Sequence, residues 1–285
     1  MQIIKSIDKG FELIKHASFT GTVKAAVAYT KVRHYDSWLP AAKIMPPYPP
    51  NTPEMSGKVK TVKFRVKYHN KRVYVTGWRF WETFLAIKEV FIEKEYDWLD
   101  VNGRKILDLG AFTGDSAISF AIRGAKEVYA CEANPNMINI IRYNIADNKL
   151  QNKVKALHCF VGDKNSDDSN FYFDNQNMVN RSGKLKLHAI NSKVPTVTLG
   201  ALIKKYEIVD GCLKMDIEGA EYEVIKSTTL STLRKFRQMQ IDFHKIDNRS
   251  YKSIKNKLEE AGFDCQVHFI GTQGGGYINA LKINT

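Results

Sequence analysis

Two acidic, glycine-bearing segments about a hundred residues apart hold the residue types that a group-transfer reaction needs. They are Ile106-Leu-Asp-Leu-Gly-Ala-Phe-Thr-Gly-Asp115 and Lys214-Met-Asp-Ile-Glu-Gly-Ala-Glu221. Glycines let a main-chain turn come close to a ligand, and carboxylates accept hydroxyl hydrogen bonds or a hydroxyl proton. The first segment therefore reads as a cofactor-gripping turn, with Asp108, Gly110, Ala111, Phe112, Gly114 and Asp115 as its candidate residues. The second reads as the acidic floor of a reaction site, with Asp216 and Glu218 as candidates.

The elements that must position these residues follow from hydrophobic spacing. Lys105 to Leu109 is a short apolar run ending in glycine, and Ser116 to Ala125 has helical spacing, which gives strand, tight turn, helix. The Gly-x-x-x-Gly spacing differs from the Gly-x-Gly-x-x-Gly of a pyrophosphate-binding turn and weakens a nicotinamide reading. The next strand, Glu127 to Cys131, ends in Glu132, 24 residues past Asp108 and followed by Ala133. A doubly wound sheet places an acid there against ribose hydroxyls. Asn134-Pro135 supplies an N-cap and a first-turn proline for the following helix. A third strand, Val154 to Val161, leads to Asp163, which is expected beside an adenine amino group. Gly211 to Ile217 reads as a fourth buried strand, and Glu218 onward as a helix with acids in its first turn. Met239 to Phe243 is a fifth, bringing His244 to the same ligand edge.

Leu107-Asp-Leu-Gly-Ala with Gly114-Asp115, Glu132-Ala-Asn-Pro135, Val194-Pro-Thr-Val-Thr-Leu199, Lys214-Met-Asp-Ile-Glu-Gly-Ala-Glu221 and Ile241-Asp-Phe-His244 together resemble the FkbM family of S-adenosylmethionine-dependent methyltransferases. The resemblance covers roughly residues 100 to 285, and the Lys-x-Asp-x-Glu-Gly-Ala-Glu run is its most specific part. It implies an α/β, Rossmann-like seven-stranded class I methyltransferase sheet whose last strand runs antiparallel. It also implies S-adenosylmethionine as cofactor and a hydroxyl acceptor on a sugar or secondary metabolite. Gly200 stands where the family commonly has an acid, and Asp242 where it commonly has Glu, so the acceptor pocket is expected to differ.

Methyl transfer is an in-line displacement, and an aliphatic hydroxyl needs a nearby proton acceptor. His244, Asp216 and Glu218 are the candidates, and the ordinary histidine pKa of about 6.5 suits that task. A structural histidine bonded to its neighbouring loop is the alternative. Asp216 and Glu218 are also oxygen donors of the kind divalent ions take. Nothing else clusters with them in sequence, so no metal is expected. Glu218 and Glu221 are equally suited to the positive end of a helix.

The charge is uneven. Of a net +13, residues 1 to 80 carry +11, with 15 Lys and Arg against four Asp and Glu. Val62, Phe64, Val66 and Tyr68 alternate with Lys63, Arg65 and Lys67 before a turn at His69-Asn70-Lys71, which reads as a hairpin with one basic face. That face either blocks edge pairing or binds an anionic partner such as RNA or a phosphorylated glycan. Residues 10 to 37 read as one or two helices, and Pro40 to Pro53, with six of the eight prolines, as an extended linker. Trp78, Phe80, Trp81 and Phe84 form an aromatic knot. The expected division is an N-terminal extension of helices, linker and hairpin over 1–99, helping to choose the acceptor, and a cofactor-binding domain over 100–285. The polar insert Lys164 to Lys193 is expected to be a lid or substrate loop.

No stretch is apolar enough for a signal or a membrane span, and four isolated cysteines suit a reducing cytoplasm. The readings carried forward are an O-methyltransferase of glycan-like hydroxyls, an RNA methyltransferase using the basic front end, and a binding module that keeps the cofactor without turnover.

Overall fold

The computed structural model describes residues 43–44, 61–78, 80–174, 189–245, 248–270 and 275–283. The chain divides into two compact units, Met1–Phe84 and Leu85–Thr285. The helices expected over residues 10 to 37 and most of the proline-rich segment lie outside the described residues.

In the first unit, β1 (Lys43–Ile44), β2 (Val62–Tyr68) and β3 (Lys71–Gly77) form an antiparallel sheet in that order. Tyr68 pairs with Lys71, so the loop has two residues, and His69 and Asn70 both take positive φ (45° and 60°), as a tight hairpin turn requires. Val62, Phe64, Val66 and Tyr68 are buried, whereas Arg65 and Lys67 are exposed. The alternation seen in the sequence thus separates a core face from a basic face. The aromatic knot forms in part: the Phe64 ring lies 5.3 Å from Phe80 and 6.5 Å from Phe84. Both belong to α1 (Phe80–Ile87), which runs across the division between the units and continues as a π-helical turn, Lys88–Glu93.

The second unit is built on strands β4 (Lys105–Leu109), β5 (Glu127–Glu132), β6 (Val154–His158), β7 (Phe160–Gly162), β8 (Ser166–Asp174), β9 (Ala189–Thr198), β10 (Gly211–Met215), β11 (Phe236–Phe243), β12 (Phe263–Ile270) and β13 (Gly275–Lys282). Seven of them make one sheet in the order β12-β13-β11-β10-β4-β5-β6. β13 is antiparallel to both neighbours and the rest run parallel. This is the seven-stranded, Rossmann-like methyltransferase sheet that the motifs implied. The helices are α2 (Asp115–Ile122), α3 (Pro135–Asp147), α4 (Leu199–Tyr206), α5 (Glu221–Ser227), α6 (Leu230–Leu233) and α7 (Tyr251–Glu260). Asn134 caps α3 by accepting from the Asn136 N–H, with Pro135 in the first turn. Leu107, Leu109, Leu213, Met215, Met239 and Ile241 are fully buried, because helices cover both faces of a parallel sheet.

Two expectations fail locally. The third strand does not run unbroken to Val161. Cys159 turns its N–H to the Glu132 carbonyl, and β7 then leaves the main sheet to pair with β9. The polar insert is not a plain loop either: Ser166–Asp174 and Ala189–Thr198 pair as antiparallel strands, so backbone pairing overrode its polar composition. Residues 175–188 of that insert lie outside the described residues.

Candidate active site

Parallel strands deliver their carboxyl ends to one edge, and the turn after β4 is the first feature there. Gly110 (φ 77°), Phe112 (φ 49°) and Gly114 (φ 83°) take left-handed conformations. The Gly110 and Ala111 N–H groups both donate to the Cys131 carbonyl at 3.0 Å. A Cβ on Gly110 would stand 1.7 Å from the Asp216 carbonyl oxygen. Asp216 N–H in turn donates to Leu109 O at 3.0 Å. The glycine is thus demanded by the exit of β10 as much as by any ligand. Thr113 Oγ1 donates to Asp115 Oδ1 at 2.6 Å, a bond that is buried at the start of α2. Asp108 is 0% exposed, accepts from Ser116 Oγ at 2.6 Å and faces Lys214 Nζ at 3.4 Å. Asp108 and Asp115 therefore shape the turn from behind.

Glu132 ends β5 and is 7% exposed. Its Oε2 accepts from Phe112 N–H at 3.0 Å and its Oε1 from Asn134 N–H at 2.8 Å. Burial pushes its pKa up to about 7 against the pull of these two donors. A carboxylate has about four acceptor positions, so two stay open for a pair of hydroxyls. A ribose diol fits that donor set. Ala133, next along, accepts from His158 Nε2 at 3.0 Å through its carbonyl. Asp163 is exposed in the bend after β7.

The acids after β10 and the histidine after β11 come together. His244 Nε2 lies 3.7 Å from Asp216 Oδ1 and 3.5 Å from Glu218 Oε2, with all three side chains about one-third exposed. His244 Nδ1 lies 3.2 Å from Oε1 of Glu221, which is 0% exposed and also accepts from Ile217 N–H at 2.9 Å. Tyr222 Oη donates to the His244 carbonyl at 2.8 Å. Burial lowers the His244 pKa, but the Glu221 hydrogen bond and the charges of Glu221, Asp216 and Glu218 outweigh it and push it up to about 9. The ordinary histidine value expected from sequence does not hold, and at neutral pH the ring is an imidazolium. Glu218 is not in the helix, as its sequence position suggested. It sits at φ 53° beside Gly219 (φ 102°), and α5 begins at Glu221.

Between the two halves stands Lys214. All of β10 is buried, and the ammonium donates to Gly110 O at 2.7 Å and lies 5.8 Å from the Tyr96 ring centroid. Burial alone would lower its pKa, but Asp108, Asp216, Asp242 and Asp115 around it hold it charged.

The Methyltransferase FkbM domain matches residues 108–265, which include both halves of this edge. The chain belongs to the FkbM methyltransferase family. S-adenosylmethionine is therefore its cofactor, and Glu132 with the Gly110–Gly114 turn forms a setting that suits it. A curated relative, the ribosomal protein L11 methyltransferase of Carboxydothermus hydrogenoformans, is 33% identical over 55 residues, 19% of this chain and 18% of that protein. The chain thus matches less than a fifth of that relative's length. Similar solved structures include a precorrin-6y C5,15-methyltransferase from Geobacter metallireducens (14% identity, 64% of this chain and 82% of that one, TM-score 0.38). Trm5b from Pyrococcus abyssi is another (13% identity, 91% and 68%, TM-score 0.42). Resemblance at this level carries nothing about reaction or acceptor.

Two residues of this FkbM family member, Lys214 and Glu221, take contacts that their places in the sequence did not reveal. Lys214 was visible as a lone cation in an apolar strand run, which calls for a buried anion nearby. Glu221 read as a first-turn helix acid, and only the fold turns it toward a histidine 23 residues away. Among the described residues no helix is long and apolar enough to cross a membrane.

Proposed function

We propose that the chain transfers the methyl group of S-adenosylmethionine to a hydroxyl oxygen of a glycan or glycan-like acceptor. One observation carries this reading: Asp216 N–H bonds to Leu109 O, at the root of the glycine turn, so the cofactor turn and the acidic floor share one junction. When bound, S-adenosylmethionine supplies an electrophilic methyl carbon on a sulfonium sulfur. The chain's own part is to hold that cofactor and to bring an oxygen into line. Positioning of this kind contributes roughly 7–11 kcal/mol of barrier lowering.

In this reading Glu132 receives the ribose hydroxyls and Asp163 meets the adenine amino group. Gly110, Ala111, Phe112 and Gly114 offer main chain to the ligand, while Asp108 and Asp115 keep the turn in shape. Asp216 and Glu218 accept hydrogen bonds from the acceptor's hydroxyls. The reacting proton goes to this group, and His244 receives it only in its neutral form.

The acidic character of the floor favours a neutral polyhydroxyl acceptor. Asp216, Glu218, Asp242 and Glu95 lie close enough to influence one another or Lys214 and His244, and such a cluster repels a phosphate-rich chain. The second reading, an RNA methyltransferase, draws on the exposed Arg65 and Lys67 of the first unit, with Arg72 paired across from Lys67. The deciding experiment offers methyl-labelled cofactor to separated glycan, lipid and RNA fractions. Label in glycan ethers supports the proposal, whereas label confined to RNA overturns it in favour of the second reading. Cofactor binding with no label in any fraction would leave the non-catalytic module.

A further inference from the structure

We propose that Asp216, Glu218 and His244 form a divalent-cation site, with ligand positions left over for the acceptor's oxygens. Asp216 Oδ1, Glu218 Oε2 and His244 Nε2 all lie within 4.8 Å of one another. The two distances to Nε2 are 3.7 and 3.5 Å. Neighbouring ligands of an octahedral ion bound at about 2.0–2.1 Å stand about 3 Å apart. Closing the two Nε2 distances takes some tenths of an ångström, and bringing the two carboxylate oxygens together from within 4.8 Å takes a larger rotation, both open to side chains that are about one-third exposed.

The support behind the histidine is what distinguishes this group from an acidic patch. Glu221 is fully buried, fixed by the Ile217 N–H, and lies 3.2 Å from His244 Nδ1. A carboxylate there keeps one ring proton on Nδ1, so that an ion displacing the other from the imidazolium meets an Nε2 lone pair turned toward Asp216 and Glu218, the arrangement that orients metal-binding histidines. A second observation points the same way. Among the described residues, Asp216 Oδ1 is shielded from solvent and receives no hydrogen bond, with His244 Nε2 3.7 Å away at ion-pair distance only. Shielded acceptors of this kind call for a positive partner. Lys214 acts on Asp216 only through its charge, since its ammonium donates to the Gly110 carbonyl and faces Asp108.

One imidazole with two carboxylates suits an ion that takes both nitrogen and hard oxygen ligands, for which Mn2+ is the natural probe. The link to methyl transfer rests on the functional reading above, but the binding itself does not. The test is therefore made on the full chain without cofactor or acceptor, after chelator treatment, by titrating Mn2+ and following loss of its free paramagnetic resonance signal. One Mn2+ per chain is expected to bind, with Asp216→Asn and Glu218→Gln each weakening it at least tenfold. Glu221→Gln should weaken it about 10- to 100-fold, as removal of a supporting carboxylate does. Absence of binding by the unaltered chain at millimolar Mn2+, or equal binding by the Asp216→Asn/Glu218→Gln double variant, would overturn the site. Either result leaves the methyltransferase reading standing, since that reading fails on a different measurement, the lack of S-adenosylhomocysteine binding.

Discussion

Lys214 and Asp108 stand opposite each other in register on neighbouring parallel strands, β10 and β4, with Nζ 3.4 Å from Oδ1 and both side chains buried. The pair joins the two segments to which the proposed chemistry is assigned. Through Lys214 Nζ and the Gly110 carbonyl, β10 holds the Gly110–Gly114 turn in place. Such a pair specifies one arrangement of the strands more than it adds stability, because desolvating both charges offsets most of their attraction.

Removing one partner is a different matter. Lys214→Met leaves Asp108 buried without its cation, and unfolding in denaturant should show a loss of about 3–5 kcal/mol. Asp108→Asn in the same chain removes the stranded charge while keeping an acceptor for Ser116 Oγ. The double variant should regain at least half of that loss. Additive losses would show that the two side chains do not act as a pair.

Gly110→Ala tests the same junction from the backbone side. Its φ of 77° disfavours any side chain, and the new Cβ would stand 1.7 Å from Asp216 O. The carbonyl cannot yield without disturbing the Asp216 N–H bond to Leu109. A loss of roughly 1–3 kcal/mol or more is expected. S-adenosylhomocysteine binding should weaken with it, which calorimetry would read directly.

Glu132 gives the cofactor site a pH dependence. Its folded pKa is raised from 4.5 to about 7, so the folded chain holds a proton that the unfolded chain has released. Stability from this group is fully present below pH 4.5 and falls as pH rises toward about 7, by about 3 kcal/mol at 1.36 kcal/mol per unit. Cofactor binding runs the opposite way, since two ribose donors need the ionised carboxylate. Affinity for S-adenosylhomocysteine should fall about tenfold per unit below pH 7 and level off above it. Glu132→Gln should flatten the profile; an unchanged slope in that variant would remove Glu132 from the ribose role.

His244→Ala and Glu132→Ala should separate binding from turnover. The first is expected to keep S-adenosylhomocysteine affinity within a few-fold and, at a pH above about 9 where the ring is neutral, to lower turnover by about a hundred- to ten-thousand-fold, the usual contribution of proton transfer. The second should lose binding first. Full turnover in His244→Ala would end its part in moving the proton.

What the sequence disclosed and withheld follows from the kind of contact involved. The runs at Lys105–Leu109, Glu127–Glu132 and Gly211–Met215 were legible because strands buried on both faces read as largely apolar stretches, whereas of Phe236–Phe243, with its Arg and Gln residues, only Met239 to Phe243 was. The residues proposed for the site stood out because they fall at or near strand ends. Asn134-Pro135 announced α3, since capping depends on neighbours in the chain. The break at Cys159 and the pairing of β8 with β9 depend on partners far along the chain, and polar composition concealed them. The departure of Glu218 from the helix turns on Gly219, and the raised pKa of His244 on three carboxylates gathered by two different strand ends. Spacing alone could not reveal that gathering.

The basic hairpin supplies the discriminating prediction for the acceptor. Lys63, Arg65 and Lys67 alternate along β2, with Arg65 and Lys67 exposed and Lys63 Nζ 4.9 Å from the Tyr74 ring centroid. Converting the three to Gln leaves the buried face, Val62, Phe64, Val66 and Tyr68, untouched, so stability should change by no more than about 0.5 kcal/mol. If a hydroxyl on a neutral glycan is the target, methylation by this triple variant should match that of the unaltered chain from 50 to 200 mM salt, in a direct rate measurement. RNA affinity behaves otherwise. Each lost phosphate contact reduces the salt slope of log affinity by about 0.7–0.9, so three contacts would take about 2–3 from it. A drop of that size, together with methyl transfer that falls in step, would mean that the hairpin delivers RNA to the site and would overturn the glycan reading.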